Sequence, residues 1–379
     1  MRVLSLAKLI AWTIGVAIVC FGVSALAADA TPVQVIRLPP AAFVPDVAID
    51  GKGVLHMVYG EGDHAWYVRS TDNGATFTPR VRVNSQGKVG LTMGERGPKL
   101  ALGKDGSIHV VWGDRWSAGV QCYTRYARSV DGGKTFEPVR QISAVAGDDG
   151  RTIAADADGT VLVFWHVFDP PQKEVPQGHY IYFSRSADNG KTFSPAERIR
   201  ITNLKDLACS MCMMRARIGT DGNAYLAFRS AQDNIRDFYV LKGRKGENNF
   251  TALRVNEDNW KLETCPMCGP ELTLDSAGRL LCTVMSRHRV YWAISDEKNA
   301  AFTLHAATPA NENDEIYPAA VANRAGEVLF VWQVGPMSTT GRATVKWAIY
   351  KRDGTFSGQQ GTVGVSTSGT KATAFVGGG

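Results

Sequence analysis

The most specific chemistry in this 379-residue chain is carried by two short cysteine motifs. Cys209-Ser-Met211-Cys212 and Cys265-Pro-Met267-Cys268 share the pattern Cys-x-Met-Cys. Four thiolates suit zinc or copper(I), and methionine thioethers favour copper(I) over zinc. Met213 and Met214 follow the first motif. One expectation is therefore a soft-metal site of Cys209, Cys212, Cys265 and Cys268, flanked by Met211 and Met267. Two other readings stay open. The cysteines could form disulfides, within each pair or across the pairs, in a compartment that permits them. They could also exchange electrons as thiol pairs if one thiol has a lowered pKa, and Arg215 lies close enough in sequence to Cys212 to lower it. The helix that opens on a cysteine pair in thioredoxin-type sites is absent. In an oxidising compartment a metal would have to compete with disulfide formation.

Other chemistry-bearing residues give weaker signals. Cys282 falls inside an apolar strand pattern and reads as core. Cys122 follows a long loop and reads as buried filler that could still pair or ligate. His56 and His109 occupy equivalent strand positions and read as packing residues, whereas His288 is placed to join a metal or hold an anion.

The elements that position these residues come from a repeat. Six copies of a short strand, a glycine-containing turn and an alternating apolar strand start at Pro45, Pro98, Arg151, Met214, Pro270 and Pro318, spaced 53, 53, 63, 56 and 48 residues apart. Between successive copies the turn Ser70-Thr-Asp72-Asn-Gly74-Ala-Thr76-Phe77 recurs at Ser129 to Phe136 and at Ser186 to Phe193. Aspartate accepts backbone N–H bonds across such a turn, and glycine takes a backbone shape that other residues avoid. Asp72, Asp131 and Asp188 are accordingly read as structural. About four short strands per repeat, six times over, predict the blades of an all-β propeller. Val33 to Leu38 looks like a last strand without a blade, and Lys371 to Val376 like a first strand without one. The expectation is that the early strand completes blade six and closes the ring, hiding the edges of an open sheet.

The turn resembles the Asp-box, or bacterial neuraminidase repeat, and the chain from about residue 33 resembles the sialidase-like six-bladed propeller superfamily. That resemblance implies fold more strongly than activity. It also implies, for a hydrolase acting on an acidic sugar, a tyrosine nucleophile with a glutamate partner, an arginine clamp and an aspartate acid/base. Tyr317 and Glu271 are the residues to place in the first two roles, and Arg215, Arg229, Arg287 and Arg289 could furnish the clamp. Arg37-Leu38-Pro39 is a poor copy of the family's Arg-Ile-Pro signature, and the acid/base position is not recognisable.

Propeller geometry puts the loops leading into first strands and out of second strands on one face, opposite the aspartate turns. That face would gather Glu95, Arg96, Asp148, Asp149 and Arg151 from the former. From the latter it would gather Asp114, Arg115, Trp116, His166, Arg229, Asp233, Arg236, Arg287, His288 and Arg289. Tyr59, Trp112, Trp165, Phe228 and Trp332 end second strands and read mainly as core. Both cysteine motifs lead into first strands in the same register, so adjacent blades four and five should bring them together.

The N-terminus has Arg2 and Lys8, an apolar run from Leu9 to about Ala27, and small residues at Ala25 and Ala27. This is the form of a secretory leader, giving residues 1–27 as a signal peptide and 28–379 as one propeller domain, periplasmic or secreted. An uncleaved anchor is the alternative, since the run is long enough to span a bilayer. Without the leader the net charge drops from +6 to about +4, too mild and scattered for nucleic acid. The combined reading is an exported binding propeller with a copper(I) or zinc site or a redox-sensitive one. Its partner would be another exported protein or an acidic small ligand, with no stable membrane insertion. A sialidase-like glycoside hydrolase, or a non-catalytic propeller with structural disulfides, is the alternative.

Overall fold

The computed structural model describes residues 17–21, 33–90, 95–114, 122–143, 150–169, 178–205, 207–209, 211–307, 314–335, 343–366 and 373–376. Asp148, Asp149, Arg115 and Trp116, and most of the expected leader, lie outside them. Among the described residues the regular structure is β-strand, with two 3₁₀ turns at Lys104–Gly106 and Gln232–Asn234. No helix among them is long and apolar enough to cross a membrane.

Six antiparallel sheets follow one another in chain order as propeller blades. Their innermost strands are Ala42–Ile49, Lys99–Leu102, Thr152–Ala155, Arg215–Ile218, Leu272–Leu274 and Glu315–Ala322. Each pairs with a second strand that is almost wholly buried, such as Ile108–Gly113 and Leu280–Ser286. Trp112, Trp165, Phe228, Tyr59 and Trp332 end these strands at 3% exposure or less, so they are core residues. Each such side chain contributes about 1.5–3 kcal/mol of burial free energy. Blade four gains a fifth strand, Arg200–Ile201, parallel to Asn249–Arg254.

The ring closes differently from the expectation. Blade six already has its own fourth strand, Phe356–Ser366. Val33–Arg37 and Thr373–Val376 instead enter a separate three-stranded sheet, with Ala17–Phe21 between them. Thr373–Val376 packs beside the inner strands of both blade six and blade one, and so occupies a seventh inner position. The reading of each orphan strand as outermost and innermost holds; their joint sheet does not follow from the repeat, because the middle strand comes from the apolar N-terminal run.

The aspartate turns lock neighbouring sheets together. The Ser70 hydroxyl donates to Asp72 at 2.6 Å, and Asp72 accepts from the Thr76 amide at 2.9 Å and the Thr76 hydroxyl at 2.5 Å. Asp131 and Asp188 repeat the pattern. Hydrogen bonds from Ser70 and Thr76 hold Asp72 down to about 2. The turn glycines have φ of 87°, 83° and 77° at Gly74, Gly133 and Gly190. A side chain there would collide with Ile36, Tyr67 and Tyr126, each in the preceding sheet. Ile36 lies in the closing sheet, which therefore serves blade one as blade one serves blade two.

Candidate functional site: a cysteine triad at the channel mouth

The loop before blade four is fixed by backbone bonds from the amides of Cys209 and Ala231 to the carbonyls of Arg229 and Leu207. The Cys212 amide then bonds the Cys209 carbonyl, turning both sulfurs to the same side. The loop before blade five brings in Cys265. The Sγ–Sγ distances are 3.1 Å for Cys209–Cys265, 3.4 Å for Cys212–Cys265 and 3.5 Å for Cys209–Cys212. None of the three is joined in a disulfide. The spacing lies between a disulfide bond of about 2.05 Å and the roughly 3.8–4.0 Å that separates thiolates sharing one ion at about 2.3 Å. An ion could enter if each sulfur retreated by a few tenths of an ångström.

The protons are unequally shared. Thiol donation from Cys209 and then Cys212, helped by the amides of Met267 and Met211, outweighs burial and holds Cys265 down to about 2. Cys209 receives the Cys212 S–H, which lowers it, but its own donation to Cys265 and its burial prevail and push it up to about 12. Burial pushes the Cys212 thiol up further. These opposed shifts draw negative charge toward Cys265 and keep protons on Cys209 and Cys212.

Several expected members are elsewhere. Cys268 is outside the triad: its sulfur accepts the Tyr317 amide at 3.4 Å and packs with Trp260 and Met285. Met267, at φ 48°, redirects the chain between Cys265 and Cys268, so the second motif presents one sulfur where the first presents two. Met213 and Met214 are buried, and Met211 is 39% exposed. Met211 and Met267 contribute amides to Cys265. Arg215 is not the residue that lowers a thiol, because its guanidinium is held by carboxylates. Cys282 is core, and Cys122 donates to the Asp114 carbonyl and accepts from Arg151.

The arginines proposed as a clamp are mostly spent on the protein itself. Arg215 reaches from blade four to Asp46 of blade one at 2.8 Å and to Glu271 of blade five at 2.6 and 2.9 Å. Arg229 donates to the carbonyls of Cys268, Arg236 and Met285 and covers Phe238 at 4.0 Å. Arg289 pairs with Glu315, while Arg287 bonds the Asp258 carbonyl. Arg236 bonds the Leu262 carbonyl, and His288 sits 3.5 Å from Asp314.

Glu271 is therefore committed to Arg215 rather than to Tyr317. The acidic side chain acting on Tyr317 is Glu95, which also accepts the Gly269 amide from across the mouth. Burial first, then Glu95, raises the Tyr317 hydroxyl well above the usual tyrosine range. Tyr317 sits at φ 50° on a bulge of the blade-six inner strand, and Val44 at φ 45° on the matching bulge of blade one. Both conformations are strained for such residues.

These features define a β-propeller with a cysteine triad on the face opposite its aspartate turns. Its architecture is shared by carbohydrate-active enzymes of distant sequence. An α-L-arabinanase from Penicillium chrysogenum superposes with a TM-score of 0.57 at 12% identity, over 91% of this chain and 100% of its own. A PL25 ulvan lyase gives 0.54 at 12%, over 89% and 86%. A Hadza microbial sialidase gives 0.51 at 17%, over 77% of this chain and 63% of its own. At these identities the likeness is one of fold. No family model and no curated protein matches the chain.

Proposed function

We propose that this propeller is an exported binding protein that holds a soft metal ion, copper(I) before zinc, on Cys209, Cys212 and Cys265. The observation that carries this reading is the convergence of three sulfurs from two blades within 3.5 Å of one another, with Cys265 shifted toward its thiolate form. Closed-shell copper(I) is satisfied by three thiolates, whereas structural zinc takes four ligands in a tetrahedron. With Cys268 turned away, the donor set favours copper(I). Binding would release the protons of Cys209 and Cys212, so affinity should rise with pH. Met211, exposed beside the triad, supports transfer to a partner as the role. The leader-like N-terminus supports an exported setting.

A second reading rests on the 3.1 Å contact between Cys209 and Cys265. Two-electron oxidation of this thiol–thiolate pair by an external disulfide would form a cross-blade disulfide and leave the oxidant as one thiol, carrying the pair's proton, and one thiolate that takes its proton from water. Metal analysis and thiol titration of protein purified anaerobically separate the two. About one copper per chain, lost in Cys209→Ser and Cys265→Ser, supports the metal role. No metal and one titratable thiol in the triad would replace it with the disulfide.

A further inference from the structure

The six repeat copies place their second residues in one ring around the central channel: Asp46, Lys99, Thr152, Arg215, Glu271 and Ala319. The charges in this ring cancel, two carboxylates against two cations. Arg215 and Lys99 both act on Asp46, and Arg215 binds Glu271. Two residues further along each strand, on the same side of the strand, the copies read Ala48, Ala101, Ala154, Arg217, Thr273 and Val321. Arg217 is thus a single guanidinium among small or apolar residues.

The cavity at this level has a volume of about 390 Å³ and is lined by all seven inner strands. Arg217 lines it, is half-buried, and donates to its own neighbour's carbonyl, Ala216, at 2.8 Å. Its nearest charges are Arg215, Glu271 and Asp46, and the two carboxylates are already occupied by Arg215. Asp46 and Glu271 line the same cavity, but with both held by Arg215 they compensate a second guanidinium only in part, and a cation so placed is costly. A guanidinium presents paired donors that match an oxyanion.

We propose that the central channel is a binding site for a small oxyanion of the phosphate or sulfate class, held by Arg217 among the small side chains of its ring. Neither the cysteine triad nor the metal reading is needed for this site. The test is calorimetric titration of the full-length chain with inorganic phosphate, at ionic strength fixed with chloride. Wild type should bind one phosphate per chain. Arg217→Gln should weaken binding at least tenfold, Arg217→Lys less, and Arg82→Gln, exposed on the outermost strand of blade one, not at all. Thr273→Glu, which places a carboxylate in the same ring, should abolish phosphate binding and keep the protein folded, so the test survives if Arg217→Gln does not fold. Absence of saturable binding by wild type overturns the proposal. So does unchanged affinity in a folded Arg217→Gln or Thr273→Glu protein.

Discussion

Arg229 donates to the Cys268 carbonyl through two nitrogens, at 2.9 and 3.2 Å, while its own carbonyl accepts the Cys209 amide. One buried residue thus holds both cysteine loops in register without touching a sulfur. Replacing it with methionine should free the carbonyls of Cys268, Arg236 and Met285 and let the loops separate. The expected loss is about 3 kcal/mol of stability, three buried acceptors at roughly 1 kcal/mol each. Copper(I) affinity should fall at least tenfold even where the variant is fully folded, as for other residues that orient ligands. Competition against a copper(I) chelator at low temperature, alongside circular dichroism, checks this. Unchanged affinity in the folded variant would confine Arg229 to stability.

The two cysteines of the second motif should behave oppositely. Cys265→Ser removes a triad sulfur and should lower copper(I) affinity by at least about 100-fold, the upper range seen for supporting residues alone. Cys268→Ser changes a sulfur that faces Tyr317 and the core, so affinity should stay within about threefold. Equal losses in both would restore a four-cysteine site.

The charge at Cys265 predicts an unusual reactivity profile. An ordinary thiol loses about tenfold in thiolate for each pH unit below its pKa of about 8.5. Cys265, held down to about 2, should be alkylated by iodoacetamide at nearly the same rate at pH 5 and pH 8. Cys209, pushed up to about 12, should stay unmodified in the native protein. Peptide mapping after timed quenching gives both rates, and a steep fall in Cys265 labelling at pH 5 would remove the thiolate.

The blades were legible because each repeat copy carries a period-2 apolar pattern and a turn with fixed chemistry. The meeting of the two cysteine motifs followed from their shared register in adjacent blades. The exclusion of Cys268 did not, because it depends on a positive φ at Met267, a residue type that gives no sign of one. Asp46 was missed as the partner of Arg215, yet the sign was present. Aligning the copies puts Asp46, Lys99, Arg215 and Glu271 in one column, and a closed ring makes a column a set of neighbours. The closing sheet was illegible because its middle strand, Ala17–Phe21, reads as leader.

That strand makes a testable conflict. Processing after Ala27 would remove Ala17–Phe21 and leave Val33–Arg37 and Thr373–Val376 without the partner that pairs with both. Protein isolated from an exporting host is expected to begin at Ala28. Its amides in these two strands should then exchange faster than those of Leu55–Glu61 in blade one, because exchange follows local opening. Protection equal to blade one in a chain beginning at Ala28 would mean that the sheet closes without the strand.

The Asp46–Arg215–Glu271 bridge gives a stability prediction whose sign depends on pH. Arg215 is 3% exposed and both partners are buried, so Arg215→Met would strand two carboxylates. Breaking such a buried group costs about 3–5 kcal/mol near neutrality. Burial alone would raise Asp46, but Arg215, then Lys99, overcome it and lower its pKa. A depressed carboxylate contributes its full stability above the unfolded value of about 3.9, and loses it as pH falls through the lower folded value. In the variant, protonation relieves the stranded carboxylates instead. The gap between wild type and Arg215→Met should therefore be widest near pH 7 and shrink below about pH 4. Thermal melts of both proteins from pH 3 to 7 measure the gap directly, and a gap that stays constant or widens toward acid would mean that these carboxylates are not held ionised by Arg215.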